Sequence, residues 1–141
     1  MCIRDRAESA ARAARLRTPE DLAELRTILD GVDGLLAAGG DLDAQAFIEA
    51  DTRFHTAIAR ASGSPTLAAL IDGLVSRTVR ARLWRAITEQ HANAETQREH
   101  RAVLAELETG DPERARVRMS VHILGVEEYA VAHDAEGYPP A

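Results

Sequence analysis

The stretch DAQAFIEADTRFHTAIARA, residues 43–61, decides how the rest of the chain is read. Phe47, Ile48, Phe54 and Ile58 recur at helical spacing and mark an inward stripe. Asp41 or Asp43 is placed to cap the start, and Ser62-Gly63-Ser64-Pro65 breaks the chain at the end. Asp51 and His55 fall within that apolar stripe. Residues four apart on a helix are neighbours, with Cβ atoms roughly 5–6 Å apart. The pair is therefore able to share one ion, and it points inward, where a carboxylate or imidazole without a partner is costly.

Working outward, every other segment also reads as helix. Residues 5–16 are rich in Ala and Arg. Thr18-Pro19-Glu20-Asp21 is a strong helix start: Thr caps, Pro suits the first position and the acids suit the positive end of the dipole. Leu22, Leu25, Ile28, Leu29 and Val32 follow at helical spacing up to Gly39-Gly40. A fourth helix is expected from about Pro65 to Ile87, and a fifth from about Ala92 to Glu108. A sixth is expected from Pro112 to about Ala132, after a Gly110-Asp111 stop. The fourth carries one face of Leu67, Leu70, Ile71, Leu74 and Thr78 and a neighbouring one of Val75, Val79 and Leu83. So broad a stripe suggests more than one neighbour, a partner subunit among them. Short connections between long helices imply an all-α antiparallel bundle.

Composition agrees. The 141 residues fit one domain, 45% are hydrophobic and only 4% aromatic, and no alternating strand-like run occurs. A formal net charge of −6 argues against a domain that itself grips a nucleic-acid backbone. The arginines between Arg77 and Arg85 spread around a helix axis and read mainly as a solvated surface. The single cysteine, Cys2, excludes an internal disulfide. No apolar run suits a membrane span and no signal peptide is visible, so a cytoplasmic location is expected. The opening MCIRDR, residues 1–6, resembles a translated sequencing-adapter tract. It is expected to be non-native, and no function is rested on it. The domain proper is expected over residues 7–133, with a frayed tail at 134–141.

His100 precedes Val103, Leu104 and Leu107 on the inner face of the fifth helix, and His122 lies between Met119 and Ile123 on the sixth. Three helices thus direct one carboxylate and three imidazoles toward the interior. Each alone has an ordinary explanation: an Asp-x-x-x-His pair as a surface ion pair, an inward His bonded to a backbone carbonyl. Together they suit a borderline divalent ion such as Zn²⁺, Ni²⁺, Mn²⁺ or Fe²⁺ better than Ca²⁺, and the ligand set alone does not choose among them. His91 and His133 lie on no clear core stripe and are not assigned to it.

The same residues carry a family pattern. Asp51-Thr52-Arg53-Phe54-His55 resembles the D-x-x-F-H signature of the FCD domain, the C-terminal effector domain of FadR-type regulators in the GntR family of bacterial transcription factors. Glu99-His100 resembles its E-H signature. Gly110-Asp111-Pro112, Ala115, Met119 and His122 resemble its closing G-D…A…M-x-x-H segment. Glu8 to Leu22, through Thr18-Pro19-Glu20-Asp21, resembles its opening. The resemblance covers about residues 4–130. It implies a bundle of six or seven helices, a metal held by Asp51, His55, His100 and His122, a small organic-acid effector and a homodimer. It also implies a winged helix-turn-helix that is absent upstream here, so that DNA is reached only through that missing domain.

For an anionic effector, Arg82 is the first candidate, because it continues the Leu74–Thr78 face. Arg118, one turn before His122, is the second, although a surface ion pair explains it slightly better. Thr96 and Gln97 precede His100 by one turn and suit hydrogen bonding to effector. Ser64 stands where relatives often have Asn after Ser-Gly and is a weaker contact. The competing classes are a mononuclear metal enzyme and a ligand-free dimerisation bundle. No Glu-x-x-His pair supports a di-iron site and no H-E-x-x-H motif is present.

Overall fold

The structure is a computed structural model that describes residues 3–39 and 41–134. Among the described residues six helices follow one another: α1 (Ile3–Leu16), α2 (Pro19–Ala37), α3 (Ala44–Ala61), α4 (Pro65–Thr88), α5 (Gln90–Thr109) and α6 (Pro112–Asp134). Among the described residues there is no strand. Most of the tail expected to fray, residues 135–141, lies outside the described residues, as do residues 1 and 2. No helix among the described residues is long and apolar enough to cross a membrane.

Local chemistry sets the boundaries. Thr18 Oγ1 accepts from the Asp21 amide at 3.2 Å while Asp21 Oδ2 accepts from the Thr18 amide at 2.8 Å, a reciprocal cap ahead of α2. Of the two candidate caps for α3, Asp43 serves, with Oδ1 accepting from the Ala46 amide at 2.9 Å. Gly110 ends α5 at φ +75°, and a Cβ there would meet the guanidinium of Arg17. The break between α4 and α5 is shorter than the sequence suggested. Glu89 alone (φ −121°, ψ 68°) separates the two helices.

α1 lies in the middle of the bundle, against α6 most extensively and also against α3, α4 and α5. Its composition allows this. Ala7, Ala10, Ala11, Ala13 and Ala14 are all buried, and such short side chains let neighbouring backbones approach closely. The main core joins Ala10, Ala13 and Ala14 to Leu25 and Leu29 of α2, Phe54 and Ile58 of α3, Val103 and Leu107 of α5, and Met119 and Ile123 of α6. A second cluster packs Val32, Phe47, Ile48 and Ala86, with Val79 and Leu83 against them. The Val75–Val79–Leu83 face of α4 is therefore used inside the chain. Ile71 and Val75 are buried against Ala59 of α3, and Leu70 is 54% exposed.

One core position violates the pattern. Arg6 is 2% exposed, and its Nε and Nη2 have no hydrogen-bond partner. Burial lowers its pKa, because the charged form has lost its water. An unpartnered buried cation is a net cost to the fold. Arg6→Leu is expected to raise stability by on the order of 1–4 kcal/mol in urea melts. A variant no more stable than the parent would mean that the guanidinium is satisfied in solution.

Candidate metal centre and adjoining cavity

α3, α5 and α6 converge on one interior point. Asp51 and His55 of α3, His100 of α5 and His122 of α6 are each 5% exposed or less. One ligand atom from each lies within 4.8 Å of all the others. His100 Nε2 is 3.1 Å from His122 Nε2, and His122 Nε2 is 3.3 Å from His55 Nε2. Asp51 Oδ1 is 3.4 Å from His100 Nε2 and 3.8 Å from His55 Nε2. Four ligands at about 2.0–2.1 Å from a tetrahedral zinc stand about 3.3 Å from one another. The separations of 3.1, 3.3, 3.4 and 3.8 Å lie around that value, so the four side chains could hold a common cation.

The protonation chemistry points the same way. His122 Nδ1 is 2.7 Å from Glu99 Oε2, so Nδ1 donates and the lone pair on Nε2 faces the other imidazoles. Burial is the main force lowering the pKa of His55 and His100 well below the usual imidazole value, and repulsion from His122 adds to it. Burial also lowers His122, outweighing the upward pull of Glu99. All three rings are therefore neutral near pH 7 and carry lone pairs fit for a metal. Phe54 supports the cluster: its ring centroid is 4.5 Å from that of His100 and 5.7 Å from that of His55.

Beside the cluster is a small recess with about 30 Å³ of enclosed space. Asp51 and Arg82 stand at its inner end, and Phe47, Ile48, Thr96 and Val126 are among its walls. Arg82 Nη1 contacts Asp51 Oδ2, and its Nη2 donates to Thr52 Oγ1 at 3.3 Å and to the Val75 carbonyl at 3.1 Å. Burial, with repulsion from Arg6 second, lowers its pKa to about 10, which leaves it charged at neutral pH.

Of the residues expected to meet an effector, the structure brings Arg82 and Thr96 to this recess. It does not bring the other three. The Arg118 side chain is 51% exposed and pairs with Glu106 at 3.6 Å, on a different face of α6. Ser64 is the N-cap of α4, its Oγ accepting from the Leu67 amide at 3.2 Å. Gln97 turns to α2, donating from Nε2 to the Leu29 carbonyl at 2.9 Å and to Asp33 at 2.8 Å. Each is held by a partner that a helical face assignment does not register: Ser64 by its own helix start, Arg118 and Gln97 by residues of other helices. The reading of residues 77–85 as a solvated surface also fails at Arg82, which is 7% exposed. Sequence reasoning missed the orienting contact of Glu99, although its place beside His100 was noted. It also missed Arg85, Asn93 and Tyr129 around the recess, for which no spacing gave a signal.

Two expected outcomes follow from this geometry. Glu99→Ala should weaken zinc binding roughly 10–100-fold in competition with a chelator, through loss of the tautomer that aims His122 Nε2 inward. Unchanged affinity would remove Glu99 from the site. In the metal-free chain, the three lowered histidines contribute stability that is complete above the unfolded imidazole value of about 6.5 and is lost as pH falls toward their folded values. Denaturant melts between pH 7 and 5 should show a slope of up to about 1.4 kcal/mol per pH unit for each histidine, and a flat profile would contradict their burial.

With this geometry in place, comparison with known proteins is informative. The family model described as the FCD domain matches residues 7–125. No curated protein sequence matches the chain. Among solved structures, the E. coli protein McbR/YncC superposes with a TM-score of 0.79 at 22% identity, covering 96% of this chain and 62% of that one. At that identity the likeness concerns the fold, and the chain spans less than two thirds of the neighbour's length. The matched family covers most of the sequence and includes all four clustered side chains: the chain belongs to the FCD domain family.

Proposed function

We propose that this domain is the ligand-sensing and dimerisation part of a bacterial GntR-family, FadR-type transcription regulator. It binds a divalent metal, zinc foremost, through Asp51, His55, His100 and His122, and a small organic acid beside it. The observation that carries this reading is the buried quartet of donors with a recess and a charged Arg82 against it. A dication added to Arg82 outweighs the charges of Asp51 and Glu99, so the interior would favour an anion. Bound there, the metal would act as a Lewis acid that fixes a carboxylate, while Arg82 and Thr96 orient it.

The mechanism is linkage rather than turnover. The metal ligands come from α3, α5 and α6, whereas Arg82 comes from α4. An acid held by both would bias the position of α4 relative to the other three helices, by its differential affinity for the two arrangements. In a homodimer that bias would reach winged helix-turn-helix heads attached elsewhere in the full cytoplasmic regulator. The sensor reading is preferred to a mononuclear enzyme because Asp51 is the one acidic residue lining the recess, and it is already engaged by Arg82. No acid there is free to act as a general base.

Elemental analysis of the purified chain, followed by a thermal-shift screen of organic acids, tests the reading. About one equivalent of metal and a melting shift with at least one acid are expected. Less than a tenth of an equivalent after metal addition would favour a dimerisation bundle without ligand. Arg82→Ala should lower acid affinity about 10–100-fold by calorimetry, the worth of a charge-assisted hydrogen bond. Unchanged affinity would exclude Arg82 from the effector site.

A further inference from the structure

The walls of the recess say more about the acid than the metal does. Phe47 and Ile48 of α3, Ala81 of α4, Ala92 of α5 and Val126 of α6 present carbon to it. Three of the polar side chains around it are already engaged. Asn93 Nδ2 donates to the Ala86 carbonyl at 3.0 Å. The Tyr129 hydroxyl is 3.3 Å from Thr88 Oγ1. The Arg85 guanidinium lies 5.1 Å from the centre of the Tyr129 ring and 3.5 Å from Glu89 Oε2. Arg82 and Arg85 each keep a buried Nε without a hydrogen bond, but only Arg82 stands against the metal ligands, in contact with Asp51.

We infer that the acid received here is a compact monocarboxylate with an apolar body, rather than a dicarboxylate or a polyhydroxylated acid. The inference rests on the sensor reading above and names the chemistry of that same site. The carboxylate goes to the inner end, beside Arg82 and the metal ligands. The body lies against Ile48 and Val126. A second carboxylate or a row of hydroxyls would leave water for a wall that is mostly carbon, a loss with little compensation. The cavity of about 30 Å³ has room for only about two waters, so the body is short and α4 must yield to admit it. Each methylene buried against the wall should tighten binding about fourfold.

The test is calorimetry on the zinc-loaded full chain, titrated separately with acetate, isobutyrate, isovalerate, succinate and gluconate. Isobutyrate or isovalerate is expected to bind at least tenfold tighter than succinate and gluconate. Tighter binding of succinate or gluconate overturns the inference and leaves the sensor reading standing. Heat from none of these acids, and no melting shift with any acid of a wider screen, overturns the sensor reading and this inference with it. Val126→Asn, which puts an amide in the wall, should weaken isovalerate at least fivefold and leave acetate within twofold. If that variant does not fold by circular dichroism, Ala81→Leu fills the same recess from α4 and should give the same split. Equal losses for acetate and isovalerate would show that the wall does not touch the body of the acid, and would overturn the inference.

Discussion

Three imidazole nitrogens lie within a few ångströms of one another in the buried interior, and the rest of the site is arranged around that fact. Glu99 accepts a hydrogen bond from His122 Nδ1–H, which leaves the His122 Nε2 lone pair facing both His55 and His100. Protons can satisfy part of this arrangement. One imidazole N–H can donate to that lone pair, and another can donate toward Asp51. They cannot satisfy all four donor atoms equally, and a positive imidazole is opposed by burial and by its neighbours. A single cation would accept every lone pair at once. The packing of α3, α5 and α6 therefore assembles a set of donors that could hold one.

The quartet was legible in the sequence because each member replaces an apolar residue on an otherwise apolar stripe. Asp51 and His55 interrupt the face of Phe47, Phe54 and Ile58, and His122 interrupts that of Met119 and Ile123. The helix boundaries were legible for a similar reason: Thr18, Asp43 and Gly110 each do something the backbone requires at a terminus. The surroundings of the quartet were not legible, because they depend on pairing across helices. Nothing in the spacing of Gln97 says that Asp33, 64 residues away, will hold its amide. Nothing in the spacing of Arg118 says that Glu106 will draw it outward. Arg82 and Arg118 look alike as arginines one turn from a core face, and tertiary pairing alone separates them.

The placement of α1 was also beyond periodicity. A helix whose inner surface is alanine has little hydrophobic contrast, yet small size suits it to the centre of the bundle. Arg6 is the exception on that helix. Its charge adds to the positive field felt by His55, His122 and Arg82. That field opposes a metal ion, so the buried quartet would have to bind one against it.

The division of labour among the helices explains how a metal site becomes a sensor. Metal bound by the quartet alone would tie α3, α5 and α6 together and leave α4 untouched, since no ligand comes from α4. Such a metal would stabilise the fold by mass action and carry no signal of its own. Arg82 is the residue through which α4 meets the site, and in the absence of an acid its partner is Asp51 itself. A carboxylate arriving beside the metal would compete for that arginine. A shift of Arg82 would then act on α4, which a single residue, Glu89, joins to α5, the helix that carries His100. So short a link would couple the two helices. The metal would set the stability of the domain, and the acid would set the position of α4.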